Sequence, residues 1–394
     1  MERFAQPPTD PVFVQDPYPF YAALRSAGDL IYWEDYGLVC AASHRAVQAV
    51  LRDTRMGREV PPEMRARITP HTQPFYDVEA HSMLELEPPR HTRLRGLVLR
   101  AFTSRRIRDL TPEIEALCHR LIDGFKPEPD LIPAYATPIP VIVIARLLGV
   151  PESMAPDLLR WSNSMVTMYQ ARRTHADEVA ASEAARDFSE FMRGYVDDRR
   201  SDPADDLITH LIAAEEDGEK LSTDELITTC ILLLNAGHEA TVHTLGNGLR
   251  ALLSEDVDAL ATTRAGTVAG TVEEILRWDP PLHMFTRWIY EDLELFGHRF
   301  RRGDQVACLL ASAGRDDSVW AGADRFDPGR TVVPNSAFGA GRHFCVGAPL
   351  ARLELQIGLR VLFARLPNLR LTEPPRYANL YHFHGLEALM VTAA

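Results

Sequence analysis

Apolar residues recur at helical spacing over residues from about 93 to 247, and this pattern restricts the chain to a mainly helical fold. The longest helical segment begins where Ser222 and Glu225 form the S-x-x-E pattern of a capping box, and we expect it to continue past Leu245. The other predicted helices are Tyr18–Ala27, 111–125, 139–148, 181–199, 204–215, 272–278 and 348–366.

Short runs of strand-forming residues lie before and after this helical region. We expect strands at Leu30–Trp33, 37–41, 286–290, 293–296 and 305–310. No internal repeat or linker interrupts the chain. The sequence therefore predicts a mainly α fold with small β-sheets, organised as a single domain over residues 1–394. The minor β part comes from about residues 1–60 and 286–320.

Composition excludes several classes of protein. The 394 residues include 42 Lys plus Arg and 55 Asp plus Glu, so the formal net charge is −13. Such an acidic chain is a poor match for nucleic acid, whose phosphates need a clustered basic surface. No apolar run approaches the roughly 18 residues of a membrane span. The best one, residues 139–150, contains Pro140 and Arg146, so we expect no contact with a membrane.

Cysteine usage and the N-terminal segment bear on the compartment. The five cysteines are odd in number, widely spaced and without a C-x-x-C pair. A disulfide framework or a cysteine-based zinc site is therefore not expected. Residues 1–20 have neither the basic nor the apolar region of a secretory signal. These features predict a cytoplasmic protein.

The segment F-G-A-G-R-H-F-C-V-G, residues 338–347, carries the strongest chemical signal. Cys345 stands just before a predicted helix, where the helix dipole and backbone N–H groups favour a thiolate and tune it as a metal ligand. A small buried cysteine in a glycine-rich turn is the structural alternative. The residues Phe338, Gly341, Cys345 and Gly347 match F-x-x-G-x-x-x-C-x-G, so the chain resembles the cytochrome P450 family, and its soluble bacterial members in particular.

This resemblance extends over essentially the whole chain and implies a triangular, mostly α domain that binds heme b, with Cys345 as the iron ligand. His91 and Arg95, four residues apart on one helix face, resemble the family segment that donates to a heme propionate. The residues that the resemblance places against the heme are Phe338, Gly339, His343 and Gly347, together with His91, Arg95 and Arg287.

A second family pattern, E-x-x-R, is matched by Glu274 and Arg277, whose side chains lie on one helix face and can pair. Taken alone, such a pair is as compatible with a solvated surface as with a buried site. In the family an arginine from a later irregular stretch joins it, and Arg330 is the matching residue. The resemblance thus implies a buried three-member network that holds the loop around the thiolate.

The segment A-G-H-E-A-T, which begins at Ala236, departs from the family pattern A/G-G-x-D/E-T at one position. Its small pair, Ala236 and Gly237, is expected to loosen the helix and leave room for O2. Glu239 occupies the place of the acid that relays protons. Ala240 stands where the family has its threonine. Thr241 is one residue further, about 100° round the helix, so it cannot simply substitute.

Two explanations of Ala240 stay open. An ordered water can fill the gap, or a substrate hydroxyl or carboxylate can complete the proton relay. The departure also leaves room for an outcome other than hydroxylation.

The substrate pocket is expected to be mostly apolar and aromatic. Asn235 and His283 are polar at positions where many family members carry an aliphatic residue, which suggests a substrate with a polar group. The residues predicted to line the pocket are Met83, Met168, Leu232, Asn235, His283, Phe285 and Phe383.

The resemblance implies a monooxygenase that inserts one oxygen atom of O2 into a small organic substrate. Alternatives are a heme-thiolate enzyme with a different outcome, such as desaturation, coupling or peroxide-driven oxidation, and a heme sensor without turnover. Since the chain has no flavin or nucleotide motif, a separate ferredoxin or flavodoxin is expected to supply electrons. Five arginines are expected to form a positive docking patch for it: Arg100, Arg105, Arg106, Arg342 and Arg352.

Overall fold

The computed structural model describes residues 1–170, 173–216, 218–381 and 383–392. Contacts within the chain group its residues into two compact units. Unit 1 consists of Met1–Gly57, Pro112–Thr137 and Ala240–Ala394, and unit 2 of Arg58–Thr111 and Pro138–Glu239. The organisation as a single domain stays a prediction, and each unit is described by itself.

Helices dominate both units, as predicted. In chain order the α-helices are α1 Pro11–Gln15, α2 Tyr18–Ala27, α3 His44–Arg52, α4 Gln73–Glu79, α5 Arg90–Ala101, α6 Ser104–Asp109, α7 Thr111–Asp123, α8 Pro138–Leu148, α9 Ala155–Val166, α10 His175–Ser201, α11 Leu207–Ala213, α12 Thr223–Ser254, α13 Ala259–Thr262, α14 Val268–Trp278, α15 Leu310–Gly314 and α16 Ala348–Arg365. Among the described residues, none of these helices is both long and apolar enough to cross a membrane.

The strands form one larger sheet and three two-stranded ones. They are β1 Arg3–Phe4, β2 Leu30–Trp33, β3 Leu38–Ala41, β4 Met56–Gly57, β5 Glu215–Glu216, β6 Glu219–Lys220, β7 Met284–Ile289, β8 Leu293–Leu295, β9 His298–Phe300, β10 Gln305–Leu309, β11 Arg370–Leu371 and β12 Val391–Thr392. The six-stranded sheet belongs to unit 1 and has the order β1-β2-β3-β10-β7-β4. Strand β10 runs parallel to β3 and antiparallel to β7.

Each predicted strand segment overlaps a strand of the structure. Strands β1, β4 and β9 lie outside the predicted segments, and the pairs β5–β6 and β11–β12 lie outside residues 1–60 and 286–320. The predicted helices are confirmed as well, with ends that differ by a few residues. Sequence periodicity does not predict the shortest elements, such as α15, because five residues are too few to establish a repeat.

Helix α12 shows how the sequence sets an element boundary. Ser222 N donates to Glu225 Oε2 at 2.9 Å, and Glu225 N donates to Ser222 Oγ at 3.2 Å, so the predicted capping box is formed. The helix is continuous from Thr223–Ser254. Its part up to Glu239 belongs to unit 2, and its part from Ala240 to unit 1.

Helix α3 packs against the larger sheet of unit 1. The Ser43 hydroxyl accepts from Ala46 N–H at 3.2 Å and caps the helix. Its apolar face clusters with Val306 and Cys308 of β10. This packing holds the end of α3, where the Leu51 carbonyl is presented to the loop that contains Cys345.

A buried ionic network in unit 1 anchors the irregular stretch before that loop. Arg277 donates to both oxygens of Glu274, from Nε and Nη2, each at 2.7 Å. Arg277 Nη1 also donates to the carbonyls of Gly314 at 2.8 Å and Ala323 at 2.7 Å. Arg330 Nε lies 3.5 Å from Glu274 Oε1. The structure thus brings together the three side chains singled out in the sequence.

We expect Glu274→Gln to lower the free energy of unfolding by about 3–5 kcal/mol, because it leaves the buried Arg277 without a counter-charge. Urea unfolding followed by circular dichroism measures the change. The matched control is Glu115→Gln, which breaks a 3.2 Å pair with Arg360 that is about one-third exposed, and should cost less than about 1 kcal/mol. Equal effects of the two substitutions would contradict the structural role of the network.

Candidate functional site

The Cys345 loop lies in unit 1 between a 3₁₀ turn, Gly341–His343, and helix α16. Cys345 N–H donates to the Phe338 carbonyl at 3.0 Å and closes the loop. Cys345 is half-buried, whereas the other four cysteines are buried. Burial raises the pKa of the Cys118 thiol to about 11 and that of the Cys230 thiol to about 12. Cys345 is therefore the thiol best placed to meet a ligand.

Glycines of the loop are required by the backbone. Gly341 has φ +70°, and a Cβ built on it would lie 2.4 Å from the Leu51 carbonyl oxygen at the end of α3. Only glycine avoids this clash. Gly339 has φ +69°. Gly347 is different, because a Cβ there would make only an ordinary van der Waals contact, 3.8 Å from Cys345 Sγ.

Strand β7 runs beside this loop within unit 1. A Cβ on Gly339 would lie 3.5 Å from Cε2 of Phe285. Arg287, two residues along the strand, is only 3% exposed and donates from Nη1 to the Thr286 carbonyl at 2.8 Å. His343 is half-buried in the 3₁₀ turn. The structure thus places one buried guanidinium and one imidazole on the elements that flank the thiol.

The other two predicted propionate donors lie in unit 2, on the first turns of α5. His91 is 3% exposed and Arg95 is half-buried. Arg93, between them in sequence, points elsewhere, because its guanidinium pairs with Glu225 and with Glu219 at 3.1 Å. Arg93 therefore points away from the helix face that the four-residue spacing of His91 and Arg95 predicts them to share.

The segment before Ala240 lies on the unit 2 part of α12. Ala236 is exposed, although Asn235 and His238 beside it are buried, so its small side chain borders open space. Gly237 has a packing reason as well, since a Cβ there would lie 2.8 Å from Ile144 Cδ1 of α8. The helix is unbroken here, so the expected loosening is not observed.

The polar groups of this segment occupy different settings. His238 is buried, with Nδ1 3.1 Å from the Leu234 carbonyl and Nε2 3.2 Å from Asn163 Oδ1. Glu239 is half-buried. In unit 1, Thr241 is 5% exposed. The Thr244 hydroxyl donates to the Ala240 carbonyl at 2.7 Å and is therefore occupied by the helix itself.

The predicted pocket residues of unit 2 are mostly buried and apolar, and Asn235 is the polar one among them. Asn235 Nδ2 lies 3.7 Å from Met165 Sδ, and its Oδ1 is buried with no hydrogen-bond partner among the described residues. The other members are Met83, Met168 and Leu232, each less than one-tenth exposed. In unit 1, Phe285 is half-buried and Phe383 is buried.

His283, predicted to line the pocket, lies in a buried cluster of unit 1. Its Nδ1 lies 3.0 Å from Tyr21 OH, and its ring lies 4.3 Å from that of His384. Both imidazoles lie beside the Asp279 carboxylate, which accepts a hydrogen bond from Tyr18 OH at 2.6 Å. Burial holds the pKa of His283 well below its usual value. The cluster engages Nδ1, while Nε2 is buried without a hydrogen-bond partner among the described residues, and the place of His283 in the substrate pocket stays a prediction.

The sequence does not reveal the charged groups near Tyr169, the residue that follows Met168. Tyr169 OH donates to Glu79 Oε1 at 3.1 Å, and Arg58 pairs with Glu85. Burial raises the pKa of Glu79 to about 8. Because the residues come from separate loops and helices, no local motif could have revealed them.

The residues present fit a heme. A half-buried thiol precedes a helix N-terminus, Gly341 lets its loop approach the end of α3, and a buried arginine suited to a carboxylate lies on the adjacent strand.

Comparisons with known proteins agree. The family model for cytochrome P450 matches residues 144–257 and 267–375. Cytochrome P450 monooxygenase PikC of Streptomyces venezuelae is 37% identical over 393 residues, covering 96% of this chain and 91% of the relative. Nocardicin C N-oxygenase of Nocardia uniformis subsp. tsuyamanensis is 38% identical over 383 residues, covering 93% and 92%.

Solved structures show the same fold. P450BioI, in complex with acyl carrier protein carrying hexadec-9Z-enoic acid, matches with a TM-score of 0.91 and 32% identity, over 97% of this chain and 99% of that one. PksS, a cytochrome P450 of the bacillaene polyketide synthase of Bacillus subtilis 168, matches with a TM-score of 0.89 and 32% identity, over 98% and 99%. The chain therefore belongs to the cytochrome P450 family, whose cofactor is heme, and is a cytochrome P450 monooxygenase, an oxidoreductase.

Proposed function

We propose that this monooxygenase inserts one oxygen atom into a small, mostly apolar organic molecule that bears a polar group, with electrons from a separate ferredoxin. The observation that carries the proposal is the Cys345 loop, in which a half-buried thiol stands before α16 and is held by a glycine that tolerates no side chain. Heme, when bound, supplies the binding and reductive activation of O2.

Each residue of the proposed site has one task. Cys345 ligates the iron through its thiolate. Arg287 and His343 in unit 1, and His91 and Arg95 in unit 2, bind the propionates with charge-assisted hydrogen bonds. The remaining cofactor-binding residues are Phe338, Gly339 and Gly347 in the loop, and Ala236 and Gly237 on α12.

The spectrum of the carbon monoxide complex tests the thiolate. We expect the reduced, heme-loaded protein to absorb at the red-shifted position typical of thiolate ligation, and Cys345→Ser to lose that band. Cys230→Ala is the matched control, because it removes a cysteine that is buried elsewhere in the fold. A wild-type protein without the band, or a Cys345→Ser protein that keeps it, would overturn the proposal.

A polar group on the substrate is supported by Asn235. Its buried Oδ1 is an acceptor without a partner among the described residues, and such a group is costly unless a donor reaches it. The apolar side chains Met83, Met168, Leu232, Phe285 and Phe383 suit the remainder of the molecule. PksS is named for polyketide biosynthesis and the Nocardia relative for N-oxygenation of nocardicin C, so the relatives support oxygenation of molecules with polar groups.

We expect Asn235→Leu to weaken binding of the substrate about tenfold, the value of one lost hydrogen bond of roughly 1.4 kcal/mol. The dissociation constant is measured by the shift of the ferric Soret band, with ligands first found by screening a compound library. An analogue without the hydroxyl or N–H donor serves as control and should bind both proteins alike. An unchanged dissociation constant for the donor-bearing ligand would remove the basis for this proposal.

Proton delivery is proposed to depend on Glu239, with a substrate hydroxyl or carboxylate in place of the missing threonine hydroxyl. Thr241 points about 100° away, and the Thr244 hydroxyl is bound to the Ala240 carbonyl, so neither replaces it. An ordered water at this place is the alternative. Both leave Ala240 catalytically important through the space that its small side chain provides.

Ala240→Thr separates the two. If the substrate completes the relay, the added hydroxyl should leave the fraction of reducing equivalents recovered as product unchanged or lower. An analogue without the hydroxyl or carboxylate should instead gain from the same substitution. A large gain with the native substrate would exclude substrate assistance.

A second candidate function, desaturation, coupling or peroxide-driven oxidation, is favoured only by Ala240. Analysis of the products distinguishes it from hydroxylation. A sensor without turnover is less compatible with Glu239, because it needs no proton-relay acid.

A separate ferredoxin, or else a flavodoxin, is proposed as electron donor. Arg100, Arg105 and Arg106 in unit 2 support it, the first two being exposed. In unit 1, Arg342 reaches the Thr54 carbonyl at 3.4 Å, and Arg352 is engaged by Glu273. Reconstituted turnover with each donor at increasing salt tests this electrostatic contribution.

A cytoplasmic location is proposed as well, supported by four buried, free thiols that suit a reducing compartment.

A further inference from the structure

Three side chains of unit 2, none of them assigned to the proposed catalytic site, lie close together and are at least partly exposed. His71 lies in the turn before α4, and His175 and Glu178 lie in the first turn of α10. His71 Nε2 is 2.8 Å from Glu178 Oε2, and the rings of His71 and His175 are 4.5 Å apart. Each of the three offers a ligand atom, and these atoms all lie within 4.8 Å of one another.

The chemistry of this set suits zinc. Two imidazole nitrogens and one carboxylate oxygen form the protein ligands of a familiar class of zinc site whose fourth position holds water. His175 and Glu178 are three residues apart and therefore share one face of α10. His71 comes from a different part of the chain, so the folded protein brings the ligands together.

Neighbouring side chains fix how the Glu178 carboxylate is presented. Arg173 Nε donates to one oxygen, Oε1, at 3.1 Å, and the other, Oε2, lies 2.8 Å from His71 Nε2. Asp177 is occupied in capping Thr174 and is not a further ligand. Arg173 and the N-terminus of α10 oppose a cation and limit its affinity.

We propose that His71, His175 and Glu178 bind one zinc ion, which ties the turn before α4 to the first turn of α10. Zinc replaces the direct contact between His71 and Glu178 and adds His175 to the link. The alternative is a simple surface ion pair, for which added metal has no effect.

This link lies close to a segment of the proposed substrate pocket. Arg173 Nη1 donates to the Met168 carbonyl at 3.3 Å, so the residue that holds Glu178 also holds Met168. Helix α4, which packs against α10, ends at Glu79, and Glu79 binds Tyr169. Zinc therefore restrains two elements that both contact the 168–169 turn.

Calorimetric titration of the tag-free, heme-loaded protein with zinc chloride tests the site. A chelator first removes loosely bound divalent metal ions. We expect one ion per chain. His71→Ala and His175→Ala should each raise the dissociation constant at least tenfold, and Glu178→Gln should do so while keeping the shape of the side chain. His210→Ala is the matched control, because His210 pairs with Asp205 at 2.9 Å but belongs to no three-ligand cluster among the described residues. The zinc affinity of this variant should equal that of the wild type.

Hydrogen exchange provides a second readout that does not depend on turnover. Zinc should slow exchange of the amides in residues 69–79 and 173–180 in the wild type and in His210→Ala, and leave it unchanged in His71→Ala. Circular dichroism verifies that each variant is folded. Absence of stoichiometric binding to the wild type, or equal affinity of His71→Ala and wild type, would overturn the proposal.

Discussion

The buried guanidinium of Arg277 is the interaction on which the site of unit 1 depends. It satisfies both oxygens of Glu274 and at the same time fixes the carbonyls of Gly314, Ala323 and Arg325. An irregular stretch cannot hold its own backbone by a repeating hydrogen-bond pattern, so one rigid, multivalent donor takes that role. The irregular stretch that Arg277 holds in this way leads to the loop that contains Cys345.

Close backbone approach completes what the ionic network begins. Gly341 brings the Cys345 loop against the end of α3, and α3 is itself held by its apolar packing on the sheet. A carboxylate network, a glycine contact and an apolar core thus act in series to position one sulfur atom. Each of them joins residues far apart in sequence. These contacts hold the loop in one conformation although it belongs to no α-helix or strand.

Much of this arrangement could be predicted from the sequence. Helical periodicity and the Ser222–Glu225 cap are local properties of the chain, and they located α12 and most other helices. The Cys345 motif and the E-x-x-R pair could be recognised because residues that are close together in the structure are also only a few positions apart in the chain.

The remaining features depend on contacts that leave no local pattern. His283 also belongs to a buried cluster with Tyr21 and Asp279, which its place after α14 does not reveal. Gly237 was assigned to the space for O2, and the structure adds its contact with Ile144. The pairs Tyr169–Glu79 and His71–Glu178 each join residues about a hundred positions apart, so a single sequence carries no sign of them.

Helix α12 continues without interruption through Glu239 and Ala240. The backbone positions of the acid and of the residue that replaces threonine are consequently set by helical geometry, about 1.5 Å of rise and 100° of rotation. A substrate that supplies its own hydroxyl to the proposed relay must therefore place it at the position beside Glu239 that this geometry sets. Selectivity would then arise from where its oxygen lies along its skeleton, and only secondarily from its size.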